Sequence, residues 1–136
     1  GSALTNLPLV VLIDGHSASA SEILAGALKE NSRATLVGTN TYGKGTVQSV
    51  HSLSDGSGLA VTISRYYPPS GINISKKGIK PDIFQDLTFE SKNLLKQDPS
   101  LIATPADSQY FKAIAILKTF NLKKPISNQE SVSISN

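Results

Sequence analysis

The chain has 136 residues and a mass of 14.4 kDa, which is the size of one ordinary globular domain. Its composition, 39% apolar and 17% charged with no cysteine, provides a core and excludes a disordered chain, disulfides, thiolate zinc sites and thiol catalysis. The net charge of +3 comes from lysines scattered over the C-terminal half without interleaved aromatic residues, so we expect a solvated surface and no nucleic-acid binding.

The first part of the chain predicts a strand, a helix and a second strand. Residues 9–13 are a continuous apolar run, typical of a strand in a parallel sheet and far shorter than the ~20 residues that span a bilayer. Residues 17–32 then show a helical period, and Ser19 with Glu22 matches a capping box. Residues 34–37 are a second apolar run, so the three elements predict a right-handed parallel crossover. The apolar stripe of this helix consists of Ile23, Leu24, Ala27 and Leu28.

The middle of the chain predicts a loop followed by a β-hairpin. Residues 38–45 are punctuated by glycine, which is typical of a loop. Residues 46–53 and 59–67 read as two β segments, and the sequence Ser-Asp-Gly-Ser-Gly between them is a hairpin turn by its residue types. A Pro-Pro-Ser-Gly sequence then ends the second segment.

The C-terminal part predicts fewer regular elements. Residues 72–100 read as irregular, with one short helix near residues 90–97. Asp107 is the predicted cap of a helix over residues 110–120. The last ten residues are polar and weakly patterned, and we expect them to fray. One face of the predicted helix would hold Phe111, Ile114, Leu117 and Phe120.

The glycine-punctuated loop also fits the opening of a phosphate-binding loop. Gly38, Gly43 and Lys44 stand at the spacing of a Walker A motif, and a predicted strand precedes them. However, Gly45 follows where the motif needs a hydroxyl for magnesium, and the residues after it predict a strand. A phosphate loop must instead open a helix whose N-terminus holds the phosphates. The sequence therefore disfavours nucleotide binding.

Two arrangements for nucleophilic catalysis also stand in the sequence. One is a triad of a serine with Asp14, His16 or His51, although His51 lies in an alternating strand pattern with nothing that marks it as a base. The other pairs a serine at the mouth of the helix, where free backbone N–H groups would stabilise an oxyanion, with Lys44. A desolvated lysine that loses its proton acts as a base. Residue pattern alone leaves both open, beside the simpler interpretation that the serines cap a helix and the lysine is solvated.

Eight blocks of residues between positions 8 and 84 carry a resemblance to a known family. They are Ser17-Ala-Ser-Ala-Ser-Glu-Ile23, Ala25-Gly-Ala-Leu28, Val37-Gly38, Tyr42-Gly-Lys-Gly-Thr-Val-Gln48, Leu53-Ser-Asp-Gly56, Arg65-Tyr-Tyr-Pro68, Ser70-Gly71 and Lys77-Gly-Ile-Lys-Pro-Asp82. In order and at matching intervals they resemble the carboxyl-terminal processing proteases, a family of serine peptidases. The family includes the tail-specific proteases of bacteria and the thylakoid-lumen protease that trims a photosystem protein.

The resemblance implies the roles of four residues. Ser19, the middle serine of the first block, would be the nucleophile, and Lys44 would be its base. Gln48 would orient Lys44 without a charge that stabilises the ammonium form, and the backbone N–H of Ala20 would supply one half of the oxyanion hole. Because Lys44 must be neutral to act, we expect neighbouring strands to wall it off from water. Positions four apart in a flat strand are ~13 Å apart, so we also expect the glycines to let the chain curl.

The resemblance further implies an α/β fold with a layered core similar to that of crotonases and Clp proteases, present here in part, with a β-hairpin and a C-terminal helix. Residues 1–84 would be the catalytic-core segment and residues 85–136 a helical extension of the same domain. Family members carry upstream a PDZ domain and a strand ending in an Asn-x-x-Gly-Gly turn with the second oxyanion donor. Neither is among these residues, and the chain opens with Gly1-Ser2 and contains no methionine. We therefore expect a truncated, impaired piece of a longer protein.

The reaction implied by the resemblance is peptide hydrolysis through an acyl-enzyme on Ser19, near the C-termini of protein substrates with apolar tails. No metal or nucleotide cofactor is implied, and no membrane span is expected. The resemblance places the protein outside the cytoplasm, in a periplasm, a thylakoid lumen or at a cell surface. An open sheet edge would invite pairing between two copies of the chain. The alternative is a non-catalytic binding or assembly module in which residues 85–136 dock on a partner.

Overall fold

The computed structural model describes residues 5–122, and the expected fraying of the last ten residues lies outside this range. Two small β-sheets and three α-helices make up the described chain. In chain order the elements are β1 (Val10–Ile13), α1 (Ala20–Glu30), β2 (Thr35–Gly38), β3 (Thr46–Ser52), β4 (Gly58–Arg65), β5 (Ile83–Phe84), α2 (Phe89–Gln97) and α3 (Ser108–Leu122). A short 3-10 helix, Pro99–Leu101, joins α2 to α3.

The first sheet is parallel, with strand order β1-β2-β5. Val10 lies opposite Thr35 and Ile13 opposite Gly38, so the predicted strand–helix–strand unit with parallel strands is confirmed. The prediction that residues 72–100 are irregular outside one helix was wrong at β5 and at the 3-10 helix. A two-residue strand is too short to show an alternating pattern, and its pairing to β2 is decided by tertiary contacts.

The buried core lies between α1, the parallel sheet and the segment that precedes β5. Leu36 and Val37 of β2 are completely buried, as expected for the central strand of a parallel sheet. The core cluster consists of Ile13, Ala25, Leu36, Ile74 and Ile79. Two of its members belong to a segment without regular secondary structure, so residues 74–79 are held in place by burial.

Helix α1 forms where it was predicted, but it turns a different face to the core. Ile23 and Leu24 are 36% and 61% exposed, whereas the buried residues are Glu22, Ala25 and Gly26. These positions lie at i, i+3 and i+4 and so form one helical face. Small residues allow close approach there: a Cβ at Gly26 would stand 3.1 Å from the Ile79 side chain. The predicted apolar stripe is therefore wrong, because close packing and a buried carboxylate set the rotation of the helix.

The second sheet is the predicted hairpin, in which β3 and β4 pair antiparallel from Thr46 opposite Arg65 to Ser52 opposite Gly58. The register shifts between Val47 and Gln48, which marks a β-bulge. Every residue of β4 is exposed in the described chain.

The C-terminal helices confirm two predictions and correct a third. Helix α2 covers the predicted residues 90–97, and Asp107 caps α3 by accepting hydrogen bonds from the N–H groups of Gln109 and Tyr110 at 3.0 and 3.1 Å. Phe111 was expected on a shared apolar face, yet it is 61% exposed. Helix α3 packs on β1 and β2, and Ala113, whose small side chain permits that approach, is buried. None of the helices within residues 5–122 is long and apolar enough to cross a membrane.

Candidate active site

Ser19 stands in a sharp turn between β1 and α1. It is the residue before the helix, with φ of 57° and ψ of −118°. A non-glycine residue rarely adopts this conformation, and such strain persists where the surrounding structure enforces it. A serine on a strained strand-to-helix turn is also the arrangement that exposes a nucleophilic hydroxyl in hydrolases. The backbone at Ser19 therefore suits a nucleophile better than a simple helix cap.

The capping box predicted for α1 forms in part. The Glu22 carboxylate accepts a hydrogen bond from the Ser19 N–H at 3.0 Å, as the motif requires. The Ser19 side chain approaches the Glu22 amide without making a cap hydrogen bond. Ala20 is exposed, and its backbone N–H donates to no acceptor among residues 5–122. A free N–H at the first position of an 11-residue helix has the character of an oxyanion donor.

Asp14 organises the turn that leads to Ser19. Its Oδ1 accepts hydrogen bonds from the N–H groups of His16 and Ser17 at 2.9 and 3.0 Å, and the Ser17 N–H also lies 3.0 Å from the Asp14 carbonyl oxygen. Partial burial raises the pKa of Asp14, but the hydrogen bonds from His16 and Ser17 outweigh it and hold that pKa below the usual 3.8. The charged carboxylate is therefore part of the turn.

Acidification is expected to loosen this turn. Because the pKa of Asp14 is lower in the folded chain, its contribution is complete above the unfolded value and is lost as the pH falls through the folded value. The amide chemical shifts of His16 and Ser17, followed by NMR, should titrate together with a midpoint below 3.8. In Asp14→Ala this transition should disappear. A midpoint at or above 3.8 would contradict the role of these hydrogen bonds.

The alternative triad is only partly assembled. His16 lies beside Asp14, with Nδ1 3.3 Å from Oδ2, but its side chain is 97% exposed. His51 lies on β3 opposite Leu59, and it is exposed without a side-chain hydrogen bond inside the described range. Nothing in this geometry gives either histidine the role of a base for Ser19.

Lys44 lies in the loop between β2 and β3, and this loop lies beside the serine block, residues 17–21. The Tyr42 N–H donates to the Ser17 carbonyl oxygen at 3.0 Å, which fixes the loop against the turn before Ser19. Since the element after Lys44 is a strand, the phosphate-loop interpretation stays disfavoured. Lys44 is exposed at an open depression of about 490 Å³. The expected walls around its amine are therefore absent from the described chain. The depression is lined by Gly15, His16, Ala18, Tyr42 and Lys44.

Glu22 is the residue that links Ser19 to Lys44, whereas its sequence motif predicts only a capping role. Its Oε2 accepts hydrogen bonds from the N–H groups of both Ser19 and Lys44, at 3.0 and 2.8 Å. Its Oε1 accepts from the Gly43 N–H at 2.7 Å and from the Thr41 hydroxyl. The carboxylate is completely buried, and no cation pairs with it in the described chain. The two oxygens of this buried side chain therefore accept four hydrogen bonds and leave no unsatisfied polar atom.

A signal for this role was present in the sequence. Ala25 and Gly26 are small residues on the same helical face as Glu22, and small residues mark the face on which another chain segment packs closely. The identity of the partner loop depends on tertiary structure.

Gln48, the predicted orienting residue, lies on β3 immediately after the β-bulge and opposite Thr62. Its side chain is exposed, as is that of Lys44. The strand begins at Thr46, and Gly43, which precedes Lys44, has a φ of 89°. The curl that would bring the Lys44 and Gln48 side chains together stays a prediction.

Comparison with known proteins identifies the family. The model of peptidase family S41 matches residues 2–84, which is more than half of the chain. The chain belongs to peptidase family S41. It is 49% identical over 119 residues to the carboxyl-terminal-processing protease of Synechocystis sp., a match that covers 86% of this chain and 26% of that protein. It is 60% identical over 78 residues to the chloroplastic carboxyl-terminal-processing peptidase 2 of Arabidopsis thaliana, covering 57% of this chain and 15% of that protein.

Solved structures agree with this assignment of the S41 chain. The photosystem II D1 C-terminal processing protease superposes with a TM-score of 0.55 and 43% identity, over 76% of this chain and 27% of that chain. The tricorn protease superposes with a TM-score of 0.59 at 14% identity, over 84% of this chain and 10% of that chain, which concerns the fold alone. The resemblance drawn from the sequence blocks is confirmed. The chain spans 26% of the Synechocystis relative, a minor part of its length.

Proposed function

We propose that this chain is the catalytic segment of a serine peptidase that cleaves protein substrates near their C-termini, with Ser19 as nucleophile and Lys44 as base. The observation that carries the proposal is the strained turn at Ser19, with φ of 57°, placed directly before a helix. Membership of peptidase family S41 supports the reaction class. The shared Glu22 oxygen supports the pairing, because it holds the Ser19 and Lys44 backbones beside each other.

In the proposed reaction the neutral Lys44 amine accepts the proton of the Ser19 hydroxyl as Oγ attacks the carbonyl carbon of the scissile peptide. The Ala20 N–H donates to the oxyanion of the tetrahedral intermediate. Collapse of this intermediate breaks the C–N bond, and Lys44 returns the proton to the leaving amine. Water then attacks the acyl-enzyme while Lys44 takes its proton, the ester C–O bond breaks, and Lys44 returns that proton to the departing Ser19 oxygen.

Two features of the site affect how Lys44 can act as a base: its exposure and its orientation by Gln48. Lys44 is exposed in the described chain, so bound substrate or further parts of a longer protein must displace water from its amine before it acts. We infer that Gln48 then orients that amine by a hydrogen bond. The adjacent β-bulge, whose extra residue Ile63 lies on the partner strand β4, supports this role, because bulges disrupt and twist the strand pairing locally and are common beside active sites.

We expect the 136-residue chain alone to be impaired. Ala20 supplies one oxyanion donor, while the resemblance assigns the second donor and the PDZ domain to segments outside these residues. Loss of one such donor typically costs about 10²–10³ in rate. The exposed apolar residues Ile23 and Leu24 on α1 also support a longer protein, in which further chain covers this surface.

The finer assignments follow from the same family membership. We propose that residues 1–84 and 85–136 are the core segment and the helical extension of one domain, within a layered core of the crotonase and Clp type. We further propose that substrates end in apolar tails and that the protein is exported, as the chloroplastic and cyanobacterial relatives suggest. The edge of β1 that does not face β2 is a candidate for pairing between two copies.

Cleavage of defined substrates tests this function. The longer protein that carries these residues is incubated with a protein that ends in an apolar tail and with a matched protein that ends in a polar tail. Intact-mass spectrometry should show truncation near the C-terminus of the first substrate. The isolated 136-residue chain should be at least about 10²-fold slower. Binding of the tail without any product would contradict the proposal and favour the assembly module.

A further inference from the structure

Thr41 occupies the buried centre of the contacts around the Lys44 loop. It is 5% exposed, and its hydroxyl accepts a hydrogen bond from the Ile79 N–H at 2.7 Å while donating one to Oε1 of Glu22. A hydroxyl has a single proton to donate. Because Ile79 supplies an N–H, the Thr41 proton is directed to the carboxylate. The direction of both hydrogen bonds is therefore set by the backbone.

The Thr41 hydroxyl differs in kind from the other donors to Glu22. Those three donors are the backbone N–H groups of Ser19, Gly43 and Lys44. They belong to the two segments that the carboxylate joins, the turn before α1 and the loop between β2 and β3. The terminal torsion of a glutamate side chain has a broad distribution of angles. The backbone of Glu22 therefore does not by itself determine the orientation of the two carboxylate oxygens. The Thr41 hydroxyl, anchored on Ile79, holds Oε1 together with the Gly43 N–H, while Oε2 faces the N–H groups of Ser19 and Lys44.

Ile79 belongs to residues 74–79, a segment that packs against the loop between β2 and β3. The Lys76 N–H donates to the Gly43 carbonyl oxygen at 2.8 Å, and the Thr41 N–H donates to the Ile79 carbonyl oxygen at 3.2 Å. Gly78 has a φ of 66°, and a Cβ at this position would stand 2.1 Å from the Thr41 carbonyl oxygen. The 74–79 segment is thus in backbone contact with the loop at Thr41 and at Gly43.

We propose that Thr41 is a positioning residue for the chemistry of Ser19 and Lys44: its hydroxyl orients the Glu22 carboxylate, and the carboxylate sets the distance between nucleophile and base. The inference rests on the proposed function. Thr41 is buried, so it acts through Glu22 and not on substrate. Its loss should therefore affect turnover and leave substrate binding unchanged.

The test is the steady-state kinetics of Thr41→Val in the longer protein, with a peptide that carries the cleaved tail. Valine keeps the shape of threonine and removes the hydroxyl. A small misplacement of reacting groups costs about 10²-fold in rate, so kcat per folded molecule should fall by about that factor while KM stays within about twofold. Thr41→Ser, which keeps the hydroxyl, should retain kcat within about threefold of the starting protein.

A matched control separates this effect from a general loss of packing. Thr39→Val makes the same substitution in the same loop, at a side chain without a hydrogen bond among residues 5–122, and it should leave kcat and KM unchanged. If Thr41→Val does not fold, Thr41→Ala is compared with Thr41→Ser, since both lack the methyl group and differ in the hydroxyl alone. The alanine variant should then be the slower one per folded molecule, with similar KM.

The outcome that overturns the inference is a kcat per folded molecule for Thr41→Val that equals that of Thr39→Val, or equal values for the alanine and serine variants. Ser19→Ala, measured alongside, keeps the two proposals apart. An active Ser19→Ala would refute the proposed function itself. An inactive Ser19→Ala together with a fully active Thr41→Val would refute only the role of Thr41.

Discussion

Ser19→Ala is expected to abolish turnover in the longer protein that carries this segment, with a loss of roughly 10⁴–10⁶-fold in kcat. In the proposed mechanism the hydroxyl forms a bond to substrate only during the reaction, so its removal should act on the chemical step. Binding of a tail peptide, measured by fluorescence anisotropy, should be nearly unchanged. The strained backbone at Ser19 is kept by the surrounding turn and helix, so the alanine variant should also fold.

Ser21→Ala is the matched control for this prediction. Ser21 belongs to the same serine block, is exposed, and its hydroxyl makes no hydrogen bond within the described chain. Its substitution should leave kcat and KM within about twofold. Full activity in Ser19→Ala would remove the assignment of the nucleophile, and Ser17 would be tested next.

Lys44→Arg is expected to be the second most damaging change, with a loss of about 10²–10⁴-fold in kcat, the range that a general base contributes. Arginine keeps the positive charge and stays protonated at any working pH, so it cannot accept the proton of Ser19. If Lys44 only held an anion or faced solvent, arginine would largely replace it. Lys77→Arg makes the same change at another exposed lysine and should leave activity unchanged.

The pH dependence gives the same mechanism an independent readout. In the proposed mechanism only a neutral Lys44 amine accepts the proton of Ser19, so kcat should rise with pH and should not fall over the range in which that amine is deprotonated. Gln48→Glu places a carboxylate where we propose the orienting amide, and this favours the ammonium form. The rising limb should then move to higher pH. A Lys44→Arg enzyme within about threefold of the starting protein, or a Gln48→Glu profile that does not move, would contradict the serine–lysine mechanism.

Local pattern was a good guide to the elements and a poor guide to their faces. The predicted positions of β1, α1, β2 and the hairpin match the structure, because each has a period, a cap or a turn written in consecutive residues. The face of α1 was wrong: Ile23 and Leu24 point outward while Gly26 packs against Ile79. Contacts of this kind depend on a segment more than fifty residues away, which no local period reveals.

In the candidate site, too, some residues are recognisable from local sequence and others only from tertiary contacts. Ser19 and Lys44 were identified from sequence blocks, because a serine at a helix start and a lysine between glycines stand in recognisable local motifs. Glu22 was seen only as a cap, and Thr41 was not singled out. Their importance arises from hydrogen bonds that join a helix to a loop and to the 74–79 segment.

The sequence by itself determined the family, the strand–helix–strand order and the candidate pair of Ser19 and Lys44, since all three are encoded in short runs of residues. Tertiary structure alone decided how that pair is held. A buried carboxylate is stable only where enough donors converge on it, and the donors to Glu22 come from separate parts of the chain. That convergence exists only after the core of Ile13, Leu36 and Ile79 has brought those parts together.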